Sequence, residues 1–167
     1  VGTLKERAEQ EEGYSLQDLI EEFEKRKVRI IFCNLYFWAG VLFSLKNRWF
    51  CYINTRFPSR TQKWTLAHEL GHFLLHQDLS FVFTDGMFPC AEADAEWQAN
   101  RFAAELLMPK GLVYKIARGL PPDNLKRVFE VSKRFEAPIS ATAWWLKELD
   151  LISSKAYQYI ASAYQEV

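Results

Sequence analysis

No stretch of about eighteen consecutive apolar residues occurs in the 167-residue chain, so the sequence offers no candidate for a membrane-spanning helix. The opening segment VGTLKERAEQEEGY is polar and charged, without the apolar run of a secretion signal; a cytoplasmic protein with no membrane partner is expected. Net charge is missing too. Lys+Arg and Asp+Glu both count 21, which argues against a general electrostatic grip on nucleic acid and makes direct nucleic-acid binding an unfavoured reading. Cysteine is scarce: Cys33, Cys51 and Cys90 form an odd set with no C-x-x-C spacing, which argues against a disulfide framework or a cysteine zinc cluster. With 49% hydrophobic and 16% aromatic residues, the chain is long enough to bury a sizeable core without such staples, as a globular protein.

Histidine is scarce as well, and its placement is informative. His68, His72 and His76 all fall in WTLAHELGHFLLH, on a four-residue beat, with Glu69 directly after the first. Four residues advance an α-helix by little more than one turn, so the three imidazoles share one face. H-E-x-x-H on a helix is a zinc-peptidase signature because two imidazoles supply nitrogen ligands while the intervening glutamate serves as a base toward water. Pro58, with Ser59 and Gln62 spaced as a capping box, predicts a helix over about residues 60–76. Trp64, Ala67, Leu70, Gly71 and Leu74 give it apolar positions at helical steps, so much of it is expected to be buried. Buried imidazoles need partners, and a metal provides one.

SLQDLIEEFEKRK, 15–27, reads as a helix with Ser15 as N-cap. The β-branched and aromatic run that follows, punctuated at Asn34, Ala39-Gly40 and Lys46-Asn47, predicts a meander of three short strands. A hairpin turn is expected at Asp85-Gly86. A helix over EADAEWQANRFAAELLMP follows, stopped by Pro109. This second helix must supply the third ligand, from Glu92, Glu96 or Glu105. Glu96 is the choice: it shares a face with Ala99, Asn100 and Ala103, small groups that admit a close neighbour, whereas Glu105 points the other way. Cys90 is a weaker alternative as a thiolate ligand. Asn100 is placed to fix the tautomer of a ligand imidazole, and His76 to stand behind the ligands or at the helix C-terminus.

Further on, NLKRVFEVSKRFEAPISATAWWLKELDLI predicts a helix, a turn at Ala137-Pro138 and a helix capped by Ser140, an arrangement like helix-turn-helix. At neutral charge, a pair that completes a core is favoured over one that reads DNA, with Trp144 and Trp145 as core or interface aromatics.

TLAHELGHFLLH followed by EWQANRFAAELLMP resembles the ImmA/IrrE family of zinc metallopeptidases, over about residues 15–110. Glu96, Ala99, Asn100, Phe102, Ala103, Leu106, Leu107, Met108 and Pro109 fit the family pattern, while Gln98 stands where a second glutamate is usual. The resemblance implies an α+β, zincin-like fold: a small antiparallel or mixed sheet packed on an active-site helix pair in residues 1–110, with a helical C-terminal part over 111–167. It implies Zn2+ held by His68, His72 and Glu96, with Glu69 as the catalytic base. It further implies a zinc-dependent endopeptidase whose substrate is a cytosolic protein such as a helix-turn-helix repressor, so that cleavage switches on stress or mobile-element genes. The rival expectation is a non-cleaving, zinc-bearing regulatory or toxin–antitoxin component. The substrate is expected to lie along the WFCYIN strand by β-augmentation. Tyr52, Arg101 and His76 remain open as oxyanion partners.

Overall fold

The computed structural model describes residues 13–76, 93–121 and 124–164. These fall into two compact units, Tyr14–Ala103 and a second made of Gly13 with the described residues from Ala104 onward.

The first unit opens with α1 (Leu16–Lys25). Ser15 closes a capping box: its hydroxyl accepts the Asp18 amide at 3.2 Å and its own amide donates to the Asp18 carboxylate at 3.0 Å. Leu19 and Phe23 are fully buried. Strands β1 (Arg29–Cys33), β2 (Gly40–Leu45) and β3 (Arg48–Asn54) follow, in the spatial order β1-β3-β2. Lys46 and Asn47, with φ of 50° and 59°, make the tight turn that joins β2 to β3 as an antiparallel hairpin. β1 runs parallel to β3. The sheet is therefore mixed and not the expected meander, because the segment after Cys33 arches over the end of β3 before β2 begins.

Asn54 pins that arch. Its side chain donates to the carbonyls of Leu35 and Trp38, both at 2.8 Å, and accepts the amides of Leu35 and Arg56 at 3.3 and 3.0 Å. On β3, the buried Cys51 and Ile53 alternate with Phe50 and Tyr52, whose rings stack with Phe43 on the opposite face.

Helix α2 (Ser59–Leu75) buries Leu66, Ala67, Leu70 and Gly71. The expected capping box is absent: Pro58, whose φ of −55° suits the position, is the N-cap, so Ser59 is already helical. Gln62 instead donates from its side chain to the Phe57 carbonyl at 2.7 Å. Helix α3 (Ala93–Leu107) begins in the first unit and ends in the second. The expected turn at Asp85-Gly86 lies outside the described residues.

The second unit adds α4 (Lys110–Arg118), α5 (Asn124–Phe135), α6 (Ile139–Glu148) and α7 (Ser154–Ala163) around Val113, Val128, Val131, Leu146 and Ile160. The C-terminal part is helical as expected, with α4 and α7 flanking the two helices that the sequence delimits. Pro138, not Ser140, caps α6, for the same reason as at Pro58. The buried Trp145 donates from Nε1 to the Met108 carbonyl at 2.9 Å. No residue of α6 is fully exposed, but the half-buried Ser140, Ala141, Trp144, Lys147 and Glu148 share one face of it.

Candidate metal centre

Helical spacing on α2 stacks His68, His72 and His76, with ring centroids 4.6 Å apart for the first pair and 5.2 Å for the second. The Nε2 atoms of His68 and His72 are 2.9 Å apart. From α3, the Glu96 carboxylate approaches both, its Oε2 3.2 Å from His68 Nε2 and its Oε1 3.1 Å from His72 Nε2. One ligand atom from each residue lies within 4.8 Å of the others, a spacing that can hold a metal ion.

Each imidazole also has a partner on the side away from the cluster. His68 Nδ1 donates to Asn100 Oδ1 at 3.0 Å. His72 Nδ1 lies 3.1 Å from His76 Nδ1, and His76 donates from Nε2 to Gln98 Oε1 at 3.3 Å. Two imidazole Nε2 atoms and a carboxylate thus converge on one point. A cation satisfies such a donor set, and these residues fit a bound metal.

The electrostatics agree. Burial works against charge on His68, yet Glu96, Glu69 and Asn100 raise its pKa above the ordinary imidazole value. Burial pushes Glu96 up, but hydrogen bonds from His68 and His72 and their charge hold its carboxyl well below the usual carboxylate range. Glu69 is buried beside them, and that burial raises its pKa despite the opposing His68 and His72. Burial also lowers the pKa of His76. On the far side, β2 presses on α2 through Gly40: a β-carbon there would overlap the Thr65 methyl and lie 3.2 Å from Glu69 Oε1.

His68, Glu69, His72, His76, Glu96 and Asn100 are thus brought together, as the motif spacing led one to expect. Glu105 is exposed, its carboxylate accepting the Lys110 amide at 3.4 Å, while Glu92 and Cys90 lie outside the described residues. None of the expected oxyanion partners is placed for that task. Strand alternation puts Tyr52 on the sheet face opposite Cys51, Arg101 lies over the Trp97 ring at 5.1 Å, and both nitrogens of His76 are engaged. WFCYIN is not an edge either, since β3 is the central strand; the edge bordering Glu69 is β2. Gln98, which entered only as a departure from a pattern, proves to be the hydrogen-bond acceptor for His76. Its spacing from Glu96 gave no hint of that.

A family model described as the IrrE N-terminal-like domain matches residues 23–143, a span that includes both helices of the site. The chain belongs to the ImmA/IrrE family. Metallopeptidase ImmA of Bacillus subtilis (strain 168) is 26% identical over 103 residues, covering 62% of this chain and 59% of that protein. A Mycobacterium tuberculosis transcriptional regulator has a similar structure, with a TM-score of 0.60 and 16% identity over 88% of this chain and 47% of that one, a likeness of fold alone. This ImmA/IrrE member therefore spans 59% of the length of the first relative and 47% of that of the second. The family is one of metallopeptidases, and the convergent His68, His72 and Glu96 are its metal-site candidate here. No described helix is long and apolar enough to cross a membrane.

Proposed function

We propose that the chain is a zinc-dependent endopeptidase that cuts a regulatory protein, with a helix-turn-helix repressor in the cytoplasm as its substrate. The observation that carries this reading is the convergence of His68, His72 and Glu96 beside a buried glutamate that binds no partner among them. Two imidazoles and one carboxylate are a catalytic zinc set, which leaves a further position for water or substrate. The chemistry such an ion supplies when bound is Lewis-acid activation of water and of the scissile carbonyl.

Glu69 takes the proton from the attacking water and returns it to the leaving amine. Its burial suits the role of base, because a raised pKa makes the carboxylate a better proton acceptor. Asn100 and His76 hold the ligand imidazoles in orientation. The substrate strand pairs with the edge of β2, which among the described residues bonds only to β3, and this lays the peptide past Glu69.

The test is to incubate the zinc-loaded protein with the repressor encoded nearest to its gene and to analyse the products by mass spectrometry. Wild type is expected to cut at one site. Glu69→Gln is expected to keep its zinc and fold and lose the cut, because an amide preserves shape but takes no proton. If both proteins bind the repressor and neither cuts it, the rival reading of a non-cleaving, zinc-bearing regulatory or toxin–antitoxin component replaces this one.

A further inference from the structure

No charged residue stands between Arg29 and Lys46, a span that holds most of β1, the arch and the whole of β2. Among the described residues β2 is an edge strand. Natural edges are commonly blunted by lysine, proline or an inward charge, and GVLFSL has none of these, so its free edge is left open to a further strand. Just before it, Tyr36, Phe37 and Trp38 stand outside the core in succession, the first two 86% exposed and the third 43%. Single exposed aromatics are ordinary, whereas three in a row form an apolar patch that the packing of this unit does not use.

The three rings are neighbours, with centroids 6.4 Å apart for Tyr36 and Phe37 and 6.3 Å, edge to face, for Phe37 and Trp38. The backbone beneath them is held. Besides the side-chain bonds of Asn54 to Leu35 and Trp38, the Asn54 amide donates to the Ala39 carbonyl at 2.8 Å and the Thr55 amide to the Cys33 carbonyl at 2.9 Å. Aromatic side chains have few torsions to fix, so a ligand that lands on this patch orders little in doing so.

Trp38 stands two residues before Gly40, where a β-carbon would lie 3.2 Å from Glu69 Oε1. A peptide paired along β2 with its scissile bond beside Glu69 advances about 3.3 Å per residue, and so comes level with Trp38 within about three residues of that bond. We propose that Tyr36, Phe37 and Trp38 are specificity-determining residues, which receive an aromatic or long aliphatic side chain of the substrate within about three residues of the cut. The proposal rests on the endopeptidase reading and on pairing with β2. With no charge between Arg29 and Lys46, the choice is made by apolar contact, and the favoured substrate segment is an extended apolar one rather than an acidic or basic one.

A series of short fluorescein-labelled peptides of alanine, serine and glycine, with one phenylalanine moved along the chain and one peptide without it, tests this. The zinc-loaded wild type is expected to cut at a fixed offset from the phenylalanine, so that the cut moves with it, and to show a KM about 10-fold higher for the peptide that lacks it. In the double variant Tyr36→Ser, Phe37→Ser, which replaces two side chains outside the core, the offset and the KM advantage should both be lost. Tyr159→Ser, at an exposed aromatic on α7, should cut as wild type does. A cut that ignores the phenylalanine in wild type, or follows it equally in the double variant, overturns the proposal. Fluorescence anisotropy in a Glu69→Gln background separates this outcome from failure of the peptidase reading. If no peptide is cut, but those with phenylalanine bind about 10-fold tighter and the double variant abolishes the difference, the subsite stands without the cleavage. Equal binding overturns the subsite, and a wild-type dimer that the double variant loses would then assign the patch to a second copy of the chain.

Discussion

Gly71 on α2 faces Ala99 on α3 so closely that a β-carbon built there would lie 3.1 Å from Ala99 Cα and 3.1 Å from Phe102 Cδ1, tighter than ordinary contact. His72 follows Gly71 directly and Glu96 lies one helical turn before Ala99, so this close approach sets the separation of the ligands across the two helices. Gly71→Val should therefore cost about 1–3 kcal/mol by overpacking and weaken zinc binding at the same time. Urea denaturation and chelator competition on the same preparation measure the two. A variant that loses stability and keeps full zinc affinity would show that the ligands do not depend on this crossing.

Glu96 and Asn100 should separate by degree. Glu96→Ala removes the carboxylate of the candidate metal site and should lower zinc affinity by several orders of magnitude, whereas Asn100→Ala removes the acceptor behind His68 and should lower it about 10- to 100-fold. Competition against a chelator series ranks them. The reverse order would mean that Glu96 is a hydrogen-bond acceptor for the imidazoles and not a ligand.

What the sequence made legible follows from the range of the interactions involved. His68, His72 and His76 could be placed because their relation is local, one turn of one helix. Glu96 could be placed because small residues on its helix face leave room for a close neighbour. The central position of β3 could not be read, because strand order depends on how residues 34–39 cross the sheet, and that crossing is fixed by Asn54 from elsewhere in the chain. Tyr52 stays open in the sequence for a related reason: without the sheet, its face relative to α2 is undefined. The caps at Ser59 and Ser140 failed because a proline stood one residue before the first and two before the second and took the N-cap place itself. Gln98 bonds across helices to His76, and helical spacing on α3 alone carries no trace of that contact.

A pH dependence of stability should trace to Glu22, which is buried and bonded to Lys25 at 2.9 Å and to Arg26. Burial raises its pKa, but the hydrogen bonds and charge of these two neighbours outweigh it and hold the carboxyl below the ordinary value. The unfolded chain therefore binds the proton more readily. The stabilisation is complete above the ordinary carboxylate range and is lost as pH falls through the depressed folded value. Glu22→Gln should lower stability by about 1 kcal/mol at neutral pH, given that Lys25 is largely exposed, and the gap to wild type should close in acid. Denaturation midpoints at neutral and acid pH measure it; a gap that widens in acid would contradict the sign.

Asn54 should be among the costliest polar residues to replace. It is 2% exposed, and its side chain serves two carbonyls and one amide of the arch between β1 and β2, together with the Arg56 amide just after β3. Truncation to alanine leaves those groups without their partner at the edge of the core, and each unsatisfied buried group costs about 1–3 kcal/mol where water cannot replace the bond. Asn54→Ala should therefore lose at least about 2 kcal/mol. Asn54→Asp gives a sharper test of the bonding. Below its pKa the acid keeps one donor for a carbonyl, but when ionised it has none and sets a buried charge against the oxygens of Leu35 and Trp38. Its folded pKa should be raised, so the aspartate variant should be least stable at neutral pH and recover as pH falls, the opposite trend to that expected for Glu22 in wild type. The arch also leads into Gly40 beside Glu69, so Asn54→Asp should lower cleavage more at neutral pH than its zinc content explains. An aspartate variant as stable as wild type at neutral pH would mean that the arch holds without this side chain.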